Sequence, residues 1–238
     1  MSTSSLLWPG CYGGQGISVI IPALNEQDWV AAAVASARRA LGAEVLVVDG
    51  HSQDATQAQA ATAGARVIES LPGRGRQMNA GAAAAKGEIL LFLHADTCLP
   101  WGWQHEVRRV LALPGVAAGA FAFRLDQRRA GLRLIELGVA ARCALAQMPY
   151  GDQGLFLRRE LFARVGGFPD LPLMEDVALV RRLRRRGRVL TSPAPAVTSA
   201  RRWQRGGALR TSLLNAILLA GFYLGLPAGT LHRLHQRP

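Results

Sequence analysis

The chain has 238 residues, half of them hydrophobic, so it is long enough to bury the core of one α/β domain. Its formal net charge of +12 comes almost wholly from arginine, since Lys86 is the only lysine. No zinc-finger spacing and no basic stripe interleaved with aromatic residues accompanies that charge, so we expect no nucleic-acid partner. The three widely spaced cysteines, Cys11, Cys98 and Cys143, fit neither a disulfide framework nor a zinc site and favour a reducing, cytoplasmic compartment.

Short apolar runs alternate with helix-like stretches through the first hundred residues. The opening residues, 1–16, lack the features of a signal peptide and are interpreted as a leader. Strands are predicted at 17–22, 44–50, 65–70 and 88–96, with helices between them at 26–41, 53–63 and 76–86. Strands separated by helices form βαβ units, so the pattern predicts a mixed, mostly parallel sheet with helices on both faces.

The rhythm changes after this first half. The predicted elements are a helix at 99–113, a strand at 119–126, a helix at 131–147, a strand and helix within 151–168, a helix at 173–186 and an extended segment at 188–203. One α/β domain, 17–208, is therefore expected, followed by a hydrophobic, helical C-terminal tail, 209–238. Glycines, a proline and Asn215 interrupt the apolar run within that tail. We therefore expect it to pack on the domain or lie in a membrane interface rather than span a bilayer.

Polar side chains end three of the predicted strands. Asn25 and Glu26 follow the first strand, Asp49 ends the second, and His94 and Asp96 end the fourth. The carboxyl ends of parallel strands meet at one edge of a sheet, where such folds bind ligands. Helix capping explains any one of these residues, but three strand ends together favour a ligand site.

His94 and Asp96 are potential metal ligands. Mg²⁺ needs only one or two carboxylates besides substrate phosphates, and an imidazole shifts the preference towards Mn²⁺. The segment GRGRQMNAG adds Arg74 and Arg76, which suit either a diphosphate site or a solvated loop. It lacks the Lys-Ser/Thr end of a P-loop, and the glycine-rich stretch before the first strand is misplaced for a Rossmann dehydrogenase.

Glu175 and Asp176 open a strongly basic helix. Carboxylates in a first helical turn are ordinary capping residues, yet one of them at an open edge can also act as a general base. The arginines that follow, within 181–188, are interpreted as a solvated helix face or a contact for lipid phosphates.

Four motifs, IPALNE, VVDGHSQDAT, FLHAD and MED, occur in this order between about 17 and 203 and resemble those of family 2 glycosyltransferases. The segments GRGRQMNAG, YGDQGLF, GGFPDLPLMEDV and SARRW further resemble a bacterial arsenosugar-biosynthesis subgroup. The resemblance implies a GT-A fold, the Rossmann-like fold of nucleotide-diphospho-sugar transferases. It also implies an inverting enzyme that moves a sugar from a nucleotide-diphosphate sugar to an acceptor hydroxyl.

The resemblance, with the residue patterns above, implies a role for each candidate residue. The nucleotide sugar would be bound by Pro22, Ala23, Asn25, Glu26, Asp49, Arg76 and Asp96, and Mn²⁺ or Mg²⁺ by Asp96 and His94. The catalytic residues would be Asp176, as general base, and Glu175 beside it. The acceptor side would be formed by Asp152, Gln153, Arg202 and Trp203. Two positions depart from the family pattern. His94 stands where an Asp is common, and Gly50 replaces a frequent second Asp.

Two other interpretations stay open. A nucleotidyltransferase would need a glycine-rich Arg-Lys signature after the first strand, where ALNEQD stands. A non-catalytic nucleotide-sugar-binding module would not need the full set of strand-end acids. A lipid-linked acceptor is consistent with an interfacial tail, which would place the enzyme at the inner face of the membrane.

Overall fold

A computed structural model describes residues 16–236. Its strands are β1 (Ile17–Ala23), β2 (Glu44–Asp49), β3 (Arg66–Glu69), β4 (Ile89–Phe92), β5 (Thr97–Cys98), β6 (Val116–Leu125), β7 (Leu155–Arg158) and β8 (Arg188–Thr198). Its helices are α1 (Val30–Ala37), α2 (Thr56–Thr62), α3 (Arg74–Ala84), α4 (Trp103–Leu111), α5 (Ala130–Ala146), α6 (Arg159–Arg164), α7 (Glu175–Arg184), α8 (Arg201–Gly206), α9 (Ala208–Tyr223) and α10 (Ala228–Gln236). The predicted leader, 1–16, lies outside the described residues except for Gly16.

The strands form one mixed sheet in the order β3-β2-β1-β4-β7-β6-β8-β5. Strands β3, β2, β1 and β4 are parallel to one another. Strand β7 is antiparallel to both of its neighbours, β4 and β6, whereas β6 and β8 are parallel. The predicted fold class, a mostly parallel α/β sheet of the GT-A type with helices on both faces, is confirmed.

The central strands separate two layers of hydrophobic core. Along β1, Val19 and Ile21 pack against the α1 side of the sheet, while Ile20 packs against Met78 of α3 on the other side. This alternation follows from the two-residue period of a strand. Both faces of β1 are covered, which explains why its sequence is a continuous apolar run.

Helix α3 lies very close to the sheet at Gly81. A Cβ on Gly81 would lie 2.3 Å from Ile20 Cγ2 and 2.9 Å from Val48 Cγ2. Such distances are well inside van der Waals contact, so this position needs a residue without a side chain. The close approach fixes the depth at which α3 packs beside the strand ends.

Strand pairing brings the distant polar motifs to one edge. The last residues of β1 and β2, Ala23 and Asp49, are register partners. Beyond β4, β5 pairs with β8 through Thr97 and Thr198, and the Ser199 N–H donates to the Asp96 carbonyl at 3.0 Å. The segment after β8 therefore joins the ends of β1, β2 and β4 at the carboxyl edge.

The elements differ from the sequence expectation at several points. The predicted strand 88–96 ends at Phe92, so His94 and Asp96 lie in the loop after β4. Residues 26–29 form turns, so α1 begins at Val30 rather than at Glu26. The end of the predicted extended segment is the short helix α8. The tail forms two helices because Gly225, at φ +84°, ends the first and Pro227 precedes the second. The boundary predicted at residue 208 stays a prediction.

Within residues 16–236, no helix has both the length and the apolar character needed to cross a membrane.

Candidate active site

A cavity of about 960 Å³ lies at the carboxyl edge of the sheet. Its walls come from the ends of β1, β4 and β8 and from α5, α7 and α9. The predicted site residues that line it are Pro22, Glu26, His94, Asp96, Asp152, Glu175, Asp176, Arg202 and Trp203. Polar groups from segments far apart in the chain thus meet in one chamber.

Arg201 joins two of the strand ends on one side of this cavity. Its Nη2 donates to Glu26 Oε1 at 2.6 Å, and its Nε donates to Asp96 Oδ2 at 3.1 Å. The guanidinium also lies over the ring of Trp29, 5.4 Å from its centroid. Arg201 was not among the predicted site residues, although it stands beside Arg202 in the motif SARRW.

His94 follows β4 and faces the same chamber. Its buried Nε2 atom has no hydrogen-bond partner among the described residues. Burial, and then the charges of Arg74, Arg202 and Arg201, hold the pKa of His94 well below its ordinary value. The ring is therefore neutral at neutral pH, which is the form that binds metals. A Cβ on Gly151 would lie only 2.7 Å from this Nε2 atom, so the ring is closely confined.

These residues fit a divalent cation that completes its coordination with phosphate oxygens. The described residues contain no group of three or more His, Cys, Asp or Glu side chains arranged to hold a metal by themselves. They do provide the Asp96 carboxylate and the unpartnered His94 nitrogen, with the unpartnered Glu26 Oε2 on the same side. Mg²⁺ and Mn²⁺ commonly bind through so few protein groups when a substrate supplies phosphates.

Two carboxylates at the start of α7 line the cavity near His94, since a Cβ on Gly151 would lie 2.7 Å from His94 Nε2 and 3.4 Å from Asp176 Oδ2. Glu175 is buried, and its Oε1 accepts from Arg74 Nη1 at 3.2 Å. Burial first, and then the charge of Asp176, raise the pKa of Glu175 against the opposing effect of Arg74. Asp176 Oδ2 accepts from the backbone N–H of Gly151 at 2.8 Å, and its Oδ1 accepts from Val177 N–H at 2.7 Å. The Asp176 carboxylate is thus held in place by backbone donors and has no cationic partner within 4 Å among the described residues.

Asp152 lies next to this pair in a short 3₁₀ turn, Gly151–Gln153. Burial raises the pKa of Asp152 to about 6, with a further contribution from Asp176 and opposition from Arg142. Its Oδ1 atom has no partner in the described part of the chain. The carboxylates of Asp152 and Asp176 are therefore neighbours in the cavity.

Three predicted residues shape the loops at the strand ends without lining the cavity. Asp49 is fully buried and accepts from Ser52 N–H at 2.9 Å, from Ser52 Oγ at 2.5 Å and from Gln57 Nε2 at 2.9 Å. Asn25, at φ +55°, accepts from Gln53 N–H at 2.9 Å. The Ala23 carbonyl accepts from Gly50 N–H at 2.9 Å. Together they tie the loop after β1 to the loop after β2.

Arg76 and Gln153 lie outside the cavity for different reasons. Arg76 forms a two-pronged ion pair with exposed Asp170 at 2.8 and 2.7 Å, and Arg74, one helical half-turn earlier, lines the cavity instead. Gln153 is fully buried, and its Nε2 donates to the Phe121 carbonyl at 3.0 Å. Its position supports the turn that carries Asp152.

Helix α5 and the tail supply a wall that the strand-end motifs did not indicate. Arg142 lies 3.5 Å from the ring centroid of Tyr150, and both residues line the cavity. Arg202 Nη2 donates to Asn215 Oδ1 of α9 at 3.3 Å. Apolar side chains complete this wall: Leu134, Ile135, Val139, Leu173, Leu218 and Leu219. No local signal in these helices distinguishes a cavity wall from an ordinary packed face.

Curated relatives match part of the chain. Glucosyl-3-phosphoglycerate synthase of Mycolicibacterium smegmatis is 33% identical over 99 residues, which is 37% of this chain and 33% of that protein. The match thus spans about a third of the relative's length. An uncharacterized glycosyltransferase of Mycobacterium tuberculosis is 37% identical over 90 residues, 37% of this chain and 40% of its own.

Solved structures share the fold over most of the chain. Glucosyl-3-phosphoglycerate synthase from Mycobacterium tuberculosis, in complex with Mn²⁺, uridine-diphosphate-glucose and phosphoglyceric acid, has a TM-score of 0.60 and 25% identity over 78% of this chain and 72% of its own. The mannosyltransferase PcManGT from Pyrobaculum calidifontis, in complex with GDP-Man and Mn²⁺, has a TM-score of 0.60 and 24% identity over 76% and 56%. The model of Glycosyl transferase family 2 matches residues 18–137, half of the chain, and the chain therefore belongs to this family.

Proposed function

We propose that this protein is an inverting, cation-dependent glycosyltransferase that moves a sugar from a nucleotide-diphosphate sugar to an acceptor hydroxyl. The observation that carries the proposal is the shared cavity. The Asp96 carboxylate and the neutral His94 imidazole, suited to a cation and a diphosphate, line the same cavity as the backbone-held carboxylate of Asp176. Membership of the family and the likeness to structures that contain nucleotides and Mn²⁺ support it.

The donor nucleotide is assigned to the strand-end loops. Pro22, Ala23, Asn25 and Glu26 would border it, and Asp49, fully buried here, would position the loop that meets the base through its hydrogen bonds with Ser52. Arg74 lines the cavity and is the better placed arginine for the diphosphate, with Arg76 held beside it by Asp170. Asp96 and His94 would hold Mn²⁺ or Mg²⁺, and a cation there would offset negative charge on the leaving nucleoside diphosphate.

The transfer itself needs one base. Asp176 takes the proton of the acceptor hydroxyl while that oxygen bonds to the anomeric carbon. The bond from this carbon to the diphosphate oxygen breaks with its electron pair, and the single displacement inverts the configuration. Glu175, paired with Arg74, would position the start of α7 rather than accept the proton.

The acceptor is assigned to the side formed by Asp152, Gln153, Arg202 and Trp203. The apolar wall of α5 and α9 supports a lipid-linked acceptor, and the tail would then contact the inner face of the membrane. Membership of the arsenosugar-biosynthesis subgroup is proposed from the motifs alone and identifies no acceptor.

Calorimetric binding of UDP and GDP, each with and without Mn²⁺, tests the donor site. The wild type is expected to bind one of the two in a Mn²⁺-dependent manner, and Asp96→Ala is expected to weaken this by roughly tenfold or more. Glu160→Ala, which removes an exposed carboxylate of α6, is the matched control and should bind like the wild type. A folded wild type that binds neither nucleotide would contradict the assignment and favour a module with another ligand.

A further inference from the structure

A second, smaller cavity lies between α7 and the end of α9. It has a volume of about 190 Å³ and is lined by Ala178, Arg181, Arg182, Arg185 and Phe222, none of which lines the larger cavity. Positions 178, 181, 182 and 185 lie on one face of a helix, because three- and four-residue steps bring side chains together. Three arginine side chains therefore border one small space.

No carboxylate offsets these three charges. Within the described residues, none of the three arginines forms a salt bridge with an acid. Arg182 Nη1 donates to the carbonyls of Val165 and Gly167 at 3.3 Å each, which orients it without neutralising it. Arg181 lies 5.8 Å from the ring centroid of Phe222 and 5.2 Å from that of Tyr223. Like charges on neighbouring positions of one helix face repel one another, and a bound anion would relieve the repulsion.

The turn beside this cavity is unusually apolar for an exposed surface. Leu224 is 84% exposed, Tyr223 is 49% exposed and Leu226 is 45% exposed. Leu213 and Ile217 are also exposed, and with Leu224 they follow helical steps of four and seven along the outer side of α9. Protein segments that lie in the interface of an anionic membrane combine exposed apolar side chains with neighbouring basic residues in this way.

We propose that Arg181, Arg182 and Arg185 bind the phosphate of an anionic lipid headgroup while the leucines of the neighbouring turn enter the acyl boundary. Guanidinium groups match phosphate oxygens with paired hydrogen bonds, and the surrounding bilayer accounts for the exposed leucines. This lipid site specifies how the membrane contact of the proposed function would form. The proposal therefore rests on that contact and is independent of the transfer reaction.

Vesicle flotation of the full chain tests the site. The probes are phosphatidylcholine vesicles with and without phosphatidylglycerol, and the variant is Arg181→Gln/Arg185→Gln. We expect its affinity for the anionic vesicles to fall roughly thirty-fold, since each arginine near such a surface contributes about a fivefold to tenfold effect. The matched control, Arg184→Gln/Arg186→Gln, removes two charges from exposed neighbours that do not line the cavity, and its loss should be clearly smaller.

Other outcomes would overturn the proposal. Equal losses in both double variants would show a diffuse charge effect without a site. A second outcome is that inorganic phosphate stabilises the wild type but not Arg181→Gln/Arg185→Gln, while the wild type does not bind vesicles. This result would show a site for free phosphate. A third outcome is that the wild type forms a dimer without lipid and the same variant is monomeric. This result would show that the arginines form a contact between two copies of this chain.

Two controls separate these outcomes from unfolding and from failure of the transferase proposal. Leu224→Gln changes a side chain that is 84% exposed, so it should fold normally and still weaken vesicle binding. Nucleotide binding by calorimetry should be unchanged in all three variants. Loss of nucleotide binding in the wild type would count against the donor site alone.

Discussion

The backbone N–H of Gly151 donates to Asp176 Oδ2 at 2.8 Å and joins the turn after α5 to the start of α7. The two residues are 25 positions apart, and the bond fixes one carboxylate oxygen towards the turn that also carries Asp152. A residue proposed as a base is thus oriented by backbone donors from two segments of the chain.

Asp176→Asn should abolish most of the sugar transfer. An asparagine oxygen can still accept from Gly151 N–H, so the fold should persist while the proton acceptor is lost. We expect a rate reduction of roughly 10²–10⁴-fold at saturating substrates, with nucleotide affinity almost unchanged. Steady-state rates with calorimetric affinities measure this, and Asp176→Asn with full activity would transfer the role of base to Asp152.

Gly151→Ala should distort the site more than the fold. The added Cβ would lie 2.7 Å from His94 Nε2, so the imidazole must move and the proposed cation site with it. We expect weaker Mn²⁺-dependent nucleotide binding and a loss of about 1–3 kcal/mol in the free energy of unfolding. Gly131→Ala is the matched control, because this glycine also lines the cavity and its Cβ would meet no atom within 4 Å. Equal effects in both variants would contradict the steric argument.

Asp152 should make stability depend on pH in a defined direction. Its pKa is raised from 3.8 to about 6 in the folded chain, mainly by burial, so the folded state holds this proton more tightly than the unfolded state. The contribution of Asp152 to the free energy of unfolding therefore falls as the pH rises from about 4 to about 6. Asp152→Asn should remove a decrease on the order of 3 kcal/mol in urea titrations across this range. An unchanged pH profile in Asp152→Asn would contradict the assignment.

Gly81→Ala should destabilise the whole sheet. Its Cβ would lie 2.3 Å from Ile20 Cγ2, and the buried strand cannot withdraw without losing its pairing with β2. We expect a loss of at least about 1–3 kcal/mol in the free energy of unfolding, measured by chemical denaturation. Gly229→Ala in α10 meets no atom within 4 Å and should be neutral or stabilising.

The sequence predicts the first half of the fold well because its signals are local. The strands β1, β2 and β4 are continuous apolar runs, and the acids at their ends follow directly. Parallel pairing then places Asp49 and Asp96 at one edge by a general rule rather than by a detail of this chain.

The remainder depends on pairings that no local pattern encodes. The insertion of β7 as an antiparallel strand and the contact of Arg201 with Asp96, 105 residues earlier, arise only when the whole sheet is assembled. Arg74 and Arg76 belong to the same motif, and only the assembled fold shows that they pair with different acids, Glu175 and Asp170. The apolar wall from α5 and α9 escapes prediction for the same reason.

Helix α9 is one uninterrupted rod of 16 residues, about 24 Å long. Its first part, through Ser212, Asn215 and Leu219, walls the large cavity, and its last turn carries Phe222 into the small one. If the ligand of each proposed site changed the position of this shared helix, the two sites would be coupled, and such coupling is reciprocal. Attachment at a bilayer would then adjust acceptor affinity, and a bound acceptor would strengthen attachment by the same factor, so the enzyme would be most competent where its acceptor resides.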